Sequence, residues 1–227
     1  MCFSANASFG AGIVLSVIGV VSIKKVQHPS HILFASIPLL FAVQQITEGF
    51  LWVTLPNPAY SLVQQLLTYI FLFFAQVLWP VWVPISILLL EKQYKRIKAQ
   101  KVLVGIGVMV SLYFIFCLFW YPVHAKIIGL HVWYKQDYST TMGIIVGALY
   151  ALATIAPQFF SHIKRMWMFG VSILISYIIS AIFYEHFVVS VWCFFASIIS
   201  VTVYLIMLEI ERFNKKPLPE NHLQLDY

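Results

Sequence analysis

The second apolar segment carries amide and carboxyl side chains that could do chemistry inside a membrane. Gln44, Gln45 and Glu48 are followed one turn later by Trp52. Spacings of three and four residues place these side chains along one face of an α-helix. Because a carboxylate facing lipid costs about 2.5–3.5 kcal/mol, we expect this face to point into a helix bundle. Glu48 could then be a neutral acid hydrogen-bonded by the glutamines, or an ionised acid paired with a cation.

The third apolar segment supplies a second polar element and a break in its helix. Gln76 and Trp79 lie one turn apart, and Pro80 and Pro84 follow. Proline has no N–H, so Pro80 removes the helical partner of the Gln76 carbonyl, and Pro84 removes that of Pro80. Freed carbonyls are tolerated in a membrane only where protein or water satisfies them, and broken helices form ion and substrate sites in transporters. A packing kink is the alternative interpretation.

Metal binding is a second candidate chemistry, offered by residues near the predicted outer ends of the segments. Their types are those that hold zinc and similar divalent ions. The candidates are Cys2, His131, Glu185, His186 and Cys193. No HExxH or CxxC spacing occurs among them, so the hypothesis depends on residue type alone. A disulfide from Cys193 to Cys2 or to Cys117 is a further alternative on an oxidising face.

The low fraction of charged residues indicates that the helices carrying these side chains face lipid. Of 227 residues, 61% are hydrophobic and 10% are charged, whereas about 25% are charged in a soluble domain. The mean hydropathy is +0.88. These values exclude a soluble enzyme, a secreted disulfide-rich module and a nucleic-acid-binding protein.

Seven apolar runs are long enough to cross a hydrocarbon layer about 30 Å thick. They cover residues 7–23, 31–54, 62–90, 102–121, 140–161, 167–184 and 187–210. The sequence therefore predicts an all-α fold, a bundle of seven transmembrane helices within residues 1–211. A disordered cytoplasmic tail is predicted for residues 212–227, because that segment is polar and contains two prolines.

The basic residues predict the orientation of these helices. All Lys and Arg residues except Lys126 and Lys135 fall after the first, third, fifth and seventh runs. This alternation predicts an outer N-terminus and a cytoplasmic C-terminus, because cytoplasmic loops carry the excess of basic residues. The net charge of +6 is thereby explained by topology, with the lipid bilayer as partner and no nucleic acid.

Four sequence blocks together carry a family resemblance. They are MCFSANASF at 1–9, FAVQQITEGFLW at 41–52, WPVWVP at 79–84 and SVWCFFAS at 190–197. In these blocks the chain resembles a family of uncharacterised bacterial seven-span membrane proteins that begin MCFSAxASF and are classed under a domain of unknown function. The resemblance implies a multi-pass protein of the bacterial inner membrane, and it implies no particular activity.

Three functions remain open at this stage. The first is a transporter or a small-ligand- or ion-binding protein, with a polar site that opens to the outer face and a proton or cation at Glu48. The second is a metal-dependent membrane enzyme at the outer mouth, and the third is a sensor or accessory membrane subunit. Retinal binding of the opsin type is excluded, because no lysine lies between His186 and Glu211 to form the Schiff base.

Overall fold

The computed structural model describes residues 4–136, 140–183 and 188–215, and these residues are mostly helical. The elements, in chain order, are α1 (Ala5–Ile23), α2 (Ile32–Ala35), α3 (Ile37–Thr54), α4 (Ser61–Leu72), α5 (Trp79–Leu90), α6 (Tyr94–Trp120), β1 (Val123–Ile128), β2 (His131–Gln136), α7 (Thr140–Phe159), α8 (Met166–Phe183) and α9 (Val188–Lys215). A π-helical segment, Phe73–Leu78, joins α4 to α5 without interruption. Helix α9 continues to Lys215, past the predicted end of the last span.

Five helical segments of the described chain are long and apolar enough to cross a membrane. They are Ala5–Ile23, Pro29–Thr54, Pro58–Leu90, Tyr94–Trp120 and Met142–Phe159. The part Met166–Ser180 of α8 is a shorter apolar helix. The protein is therefore a helical protein whose apolar helices suit a membrane, whereas the count of seven spans and the orientation stay predictions.

The all-α prediction is wrong between α6 and α7, where the chain forms a β-hairpin. Strands β1 and β2 pair antiparallel in register from Val123 with Gln136 to Ile128 with His131. The two-residue turn begins at Gly129, whose φ of +60° suits the first position of a type II′ turn. Val123 and Val132 are buried, so the hairpin is part of the core. The sequence signal for it is a Gly-X turn between runs rich in β-branched and aromatic residues.

Helix α1 packs along α3 through small residues. Gly12 and Gly19 lie on the buried face of α1, as does Ser8. A Cβ added at Gly12 would lie 2.7 Å from Ile46 Cγ1, and one at Gly19 would lie 2.6 Å from Leu39 Cδ2. Small side chains let the two backbones approach closely, which stabilises helix pairs where no hydrophobic driving force exists.

Gly143 and Gly147 lie on α7 at a four-residue spacing that permits close packing of a second helix. No described atom lies within 4 Å of a Cβ built on Gly143 or on Gly147. The buried face of α7 passes instead through Val146, Ala153 and Thr154. A stripe of small residues permits close packing but does not require it, and no backbone in the described part of the chain approaches these two glycines.

Candidate functional site: a buried polar core

The polar face of α3 lies inside the protein. Gln44 and Glu48 have no exposed surface and Gln45 is 1% exposed. On the opposite side of the helix, Val43 and Val53 are about half exposed. The helix thus presents apolar side chains outward and its amide and carboxyl groups inward, which is the arrangement that a membrane favours.

Trp79 links this polar face to α5. Its indole Nε1 donates to Gln44 Oε1 at 2.9 Å. The Trp79 ring also stacks on Phe41, with ring centroids 4.0 Å apart. Phe41 and Gln44 are three residues apart and therefore lie on one turn of α3. Phe41 contacts the face of the Trp79 indole and Gln44 binds its N–H, so this one turn fixes the ring.

A pair of amides connects the π-helical segment to the hairpin. Gln76 Nε2 donates to Gln136 Oε1 at 2.8 Å, and Gln136 Nε2 donates back to Gln76 Oε1 at 3.0 Å. Two residues before Gln136, Tyr134 stacks on Phe71 with centroids 4.7 Å apart. Gln76 lies about 22 Å along the helix from Ser61, the first residue of α4. Because Gln136 of strand β2 binds Gln76, the strand brings a polar side chain deep into the bundle.

The break predicted at Pro80 is a π-helical segment that ends two residues before that proline. In a π-helix the N–H of residue i+5 donates to residue i, so Pro80 leaves the Ala75 carbonyl without its donor. In an α-helical register, the same proline would free the Gln76 carbonyl instead. Tyr150 Oη donates to the Ala75 carbonyl at 2.7 Å, and Ser111 Oγ donates to the Val77 carbonyl at 2.6 Å. Hydroxyls from α7 and α6 therefore satisfy backbone groups in the π-helical segment.

Replacing Tyr150 by phenylalanine should destabilise this segment. The variant keeps the ring and removes the hydroxyl that donates to the part-buried Ala75 carbonyl. We expect a loss of about 1–3 kcal/mol in the free energy of unfolding, measured by denaturant titration in detergent micelles. Tyr94→Phe is the control, because the Tyr94 side chain is largely exposed and should give a change near zero. Equal stabilities of the two variants would contradict the role given to the Tyr150 hydroxyl.

Trp52, the fourth predicted residue on α3, is half-buried near the end of the helix. Its Nε1 is buried and has no hydrogen-bond partner among the described residues. Just beyond it, the Gln64 side chain donates to the carbonyls of Thr54 and Asn57 and closes the connection from α3 to α4. We refer to six residues together as the polar core, namely Gln44, Gln45, Glu48, Gln76, Trp79 and Gln136. Trp52 lies one turn beyond Glu48 on α3.

The predicted metal ligands are placed only in part. Cys2, Glu185 and His186 lie outside the described residues, and so does the side chain of Cys193. His131 lies beside the hairpin turn, where burial lowers the pKa of its imidazole. Within residues 4–136, 140–183 and 188–215, no group of three or more His, Cys, Asp or Glu could hold a metal ion. Cys117 is a free, buried thiol, so the alternative of a Cys117–Cys193 disulfide is wrong.

A second polar cluster, which the sequence did not predict, surrounds Glu91 at the end of α5. Its carboxylate accepts from the backbone N–H groups of Lys92, Gln93 and His162 at 2.9–3.1 Å. The His162 ring Nδ1 lies 2.9 Å from Glu91 Oε1, and since a carboxylate only accepts, Nδ1 carries the proton. One side chain thus joins the α5–α6 connection to the α7–α8 connection.

The pKa of the Glu91 carboxyl is lowered by these contacts. Burial by itself raises this pKa, but the hydrogen bonds from Gln93 and His162 and the neighbouring His162 ring outweigh burial. Two more side chains strengthen the same junction, because Arg96 donates to the Ser161 carbonyl and Gln100 donates to the Pro157 carbonyl. The sequence signal was a single acid directly after an apolar run and before a series of basic residues.

Comparison with known families assigns the chain by sequence. A family model described as a family of unknown function matches residues 1–219. The chain belongs to this family, DUF6629. The prediction of an uncharacterised family is thereby confirmed, whereas the MCFSAxASF signature and the bacterial origin stay predictions. No curated protein and no solved structure matches the chain.

Proposed function

We propose that the protein is a membrane carrier or ion-binding protein that takes up a proton or small cation at Glu48, with a polar site that opens to the outer face. The observation that carries this proposal is the complete burial of an acidic side chain next to two glutamines on a helix long and apolar enough to cross a membrane. An ionisable group in such a place is costly, and its most frequent reason is transport or binding of an ion or ligand.

The glutamines suit the chemistry of such a site. An amide both donates and accepts, so Gln44 and Gln45 can hydrogen-bond a neutral carboxylic acid or orient beside a carboxylate with a bound cation. The Gln44 Oε1 accepts from the Trp79 indole, and this bond fixes the orientation of the amide beside Glu48. Glu48 would hold the proton or cation, while the glutamines adjust their hydrogen bonds to its charge.

The π-helical segment, which contains Gln76 of the polar core, supports a conformational change at the site. Its carbonyls at Ala75 and Val77 are bound by side chains of other helices rather than only by its own backbone. π-helical turns are frequent at functional sites, and unwound helices in transporters surround the ion. Gln76, on this segment, would couple a change at Glu48 to the hairpin through Gln136.

The test uses the full chain in liposomes that contain a pH-sensitive dye. A gradient of Na⁺, K⁺ or Li⁺ is imposed, and the change in internal pH is recorded for the wild type, for Glu48→Gln and for a control. We expect at least one cation to change the internal pH with the wild type, and Glu48→Gln to reduce the rate about tenfold or more. Glu211→Gln is the control, because Glu211 pairs with Lys25 outside the polar core and should retain the rate within about twofold.

Melting temperatures of the same proteins give a second measurement, since a bound ion stabilises the folded state. The wild type should melt at a temperature that depends on one of the cations, or on pH above the acid range in which Glu91 titrates, and Glu48→Gln should lose that dependence. The proposal is contradicted if liposomes with the wild type behave like protein-free liposomes under all gradients, and the melting temperature depends on no cation and on no pH change above the range in which Glu91 titrates. Equal behaviour of the wild type and Glu48→Gln also contradicts it.

A further inference from the structure

A cavity of about 380 Å³ lies at the end of the protein opposite the hairpin, between the ends of α5 and α9 and the α7–α8 connection. It is lined by polar and apolar residues together. They are His31, Leu90, Lys92, His162, Ile163, Lys164, Glu209, Ile210 and Phe213. A smaller cavity of about 260 Å³ adjoins it through Glu209 and Phe213 and adds Arg165 and Arg212. Neither cavity involves the polar core around Glu48.

Cations outnumber anions around these cavities. Lys92 and Lys164 have no carboxylate partner within the described part of the chain. The one lining carboxylate, Glu209, has Arg165 at 3.6 Å, so its charge is partly balanced. Glu91 lies nearby, but its oxygens accept the hydrogen bonds of His162 and of the backbone. The remaining charge in the cavity is positive.

His31 contributes an unused hydrogen-bonding atom. The residue is 8% exposed, and its Nδ1 has no hydrogen-bond partner among the described residues. A buried ring nitrogen without a partner is costly, and an occupant that bonds to it relieves that cost. Among the described residues, the cavity therefore combines two ammonium groups that have no carboxylate partner with a buried imidazole whose Nδ1 has no hydrogen-bond partner.

We propose that this cavity binds the phosphate group of an anionic phospholipid. Lysine ammonium groups bind phosphate as point charges, and basic pockets between membrane helices bind anionic head groups. A lipid is favoured over a soluble phosphate compound, because Leu90 ends a membrane-spanning segment and Phe213 is largely exposed beside it. The phosphate would lie between Lys92 and Lys164, and its acyl chains would follow the apolar surface of the adjoining helices.

The experiment measures lipid binding to the purified full chain by native mass spectrometry and by melting temperature in detergent. The anionic lipids are cardiolipin and phosphatidylglycerol, and phosphatidylcholine is the zwitterionic reference. Inorganic phosphate is tested separately, as the probe for a soluble phosphate compound. The variant Lys92→Gln/Lys164→Gln removes both cations from the cavity. The control Lys95→Gln/Lys98→Gln makes the same change in net charge on exposed residues of α6. All four positions are exposed, so both proteins are expected to fold.

We expect saturable binding of an anionic lipid to the wild type, weakened about tenfold or more in Lys92→Gln/Lys164→Gln and about twofold or less in the control. Equal weakening in both variants would mean that surface charge alone attracts lipid, and would overturn the proposal. Absence of a preference for anionic lipid over phosphatidylcholine would overturn it as well. Saturable binding of inorganic phosphate without lipid binding would assign the site to a soluble phosphate compound and reject the lipid.

Discussion

Replacing Gly107 by alanine is expected to destabilise the protein by about 3 kcal/mol or more, or to prevent folding. Gly107 is buried in α6 where this helix crosses α5. A Cβ at this position would overlap the carbonyl oxygen of Pro80. That oxygen belongs to the backbone of a helix already held by neighbouring helices, so it cannot move aside as the end of a flexible side chain could.

The sequence around Pro80 explains why its carbonyl lies so close to Gly107. Pro84 removes the N–H that would otherwise bond to the Pro80 carbonyl, and this freed carbonyl faces α6. Only a residue without a side chain fits against it. The two prolines and Gly107 therefore act together, although 23 or more residues separate them in the chain.

Gly105→Ala is the matched control for this substitution. Gly105 lies two residues earlier on the same helix, and no described atom lies within 4 Å of a Cβ built there. Because alanine favours helix over glycine by roughly 0.5–1 kcal/mol, Gly105→Ala should leave stability unchanged or raise it. Unfolding free energies of both variants, measured by denaturant titration in micelles, give the comparison. A Gly107→Ala protein as stable as Gly105→Ala would show that the α5–α6 crossing can relax.

The second large effect is expected for Glu91→Ala. This change leaves the N–H groups of Gln93 and His162 without their acceptor and separates the two connections that Glu91 joins. We expect a loss of about 2–4 kcal/mol in the free energy of unfolding at pH 7. Gln93→Ala is the control, since it keeps the backbone N–H that bonds to Glu91 and removes only an exposed side chain.

The pH dependence gives a separate signature of Glu91. Because the pKa of this carboxyl is lower in the folded state, its ionised form stabilises the protein. The stabilisation is fully present at neutral pH and is lost as the pH falls from about 4.5, the ordinary value, through the lower pKa of the folded protein. Wild-type stability should therefore decrease across this range, and the decrease should be smaller in Glu91→Ala. Parallel pH profiles for the two proteins would contradict the assignment.

The sequence predicts much of the polar core because helix periodicity determines which residues share a face. Gln44, Glu48 and Trp79 were expected inside the bundle from spacing and from the cost of placing polar groups in lipid. Gln136 was not, because it falls between the apolar runs 102–121 and 140–161, where the sequence predicts no span. Its pairing with Gln76 depends on a hairpin register and on how deeply that hairpin lies, neither of which is a property of local sequence.

By itself, then, the sequence determines the apolar helices, the polar face of α3 and the break at Pro80, because each follows from composition, from a period of 3.6 residues or from the missing N–H of proline. Only the tertiary structure decides which helix satisfies a freed carbonyl, which glycine a backbone approaches and which carboxylate joins two connections. Tyr150, Gly107 and Glu91 are separated by 27 to 75 residues from at least one of the groups they meet. Contacts across such separations follow from how helices cross, and no local pattern records the crossing.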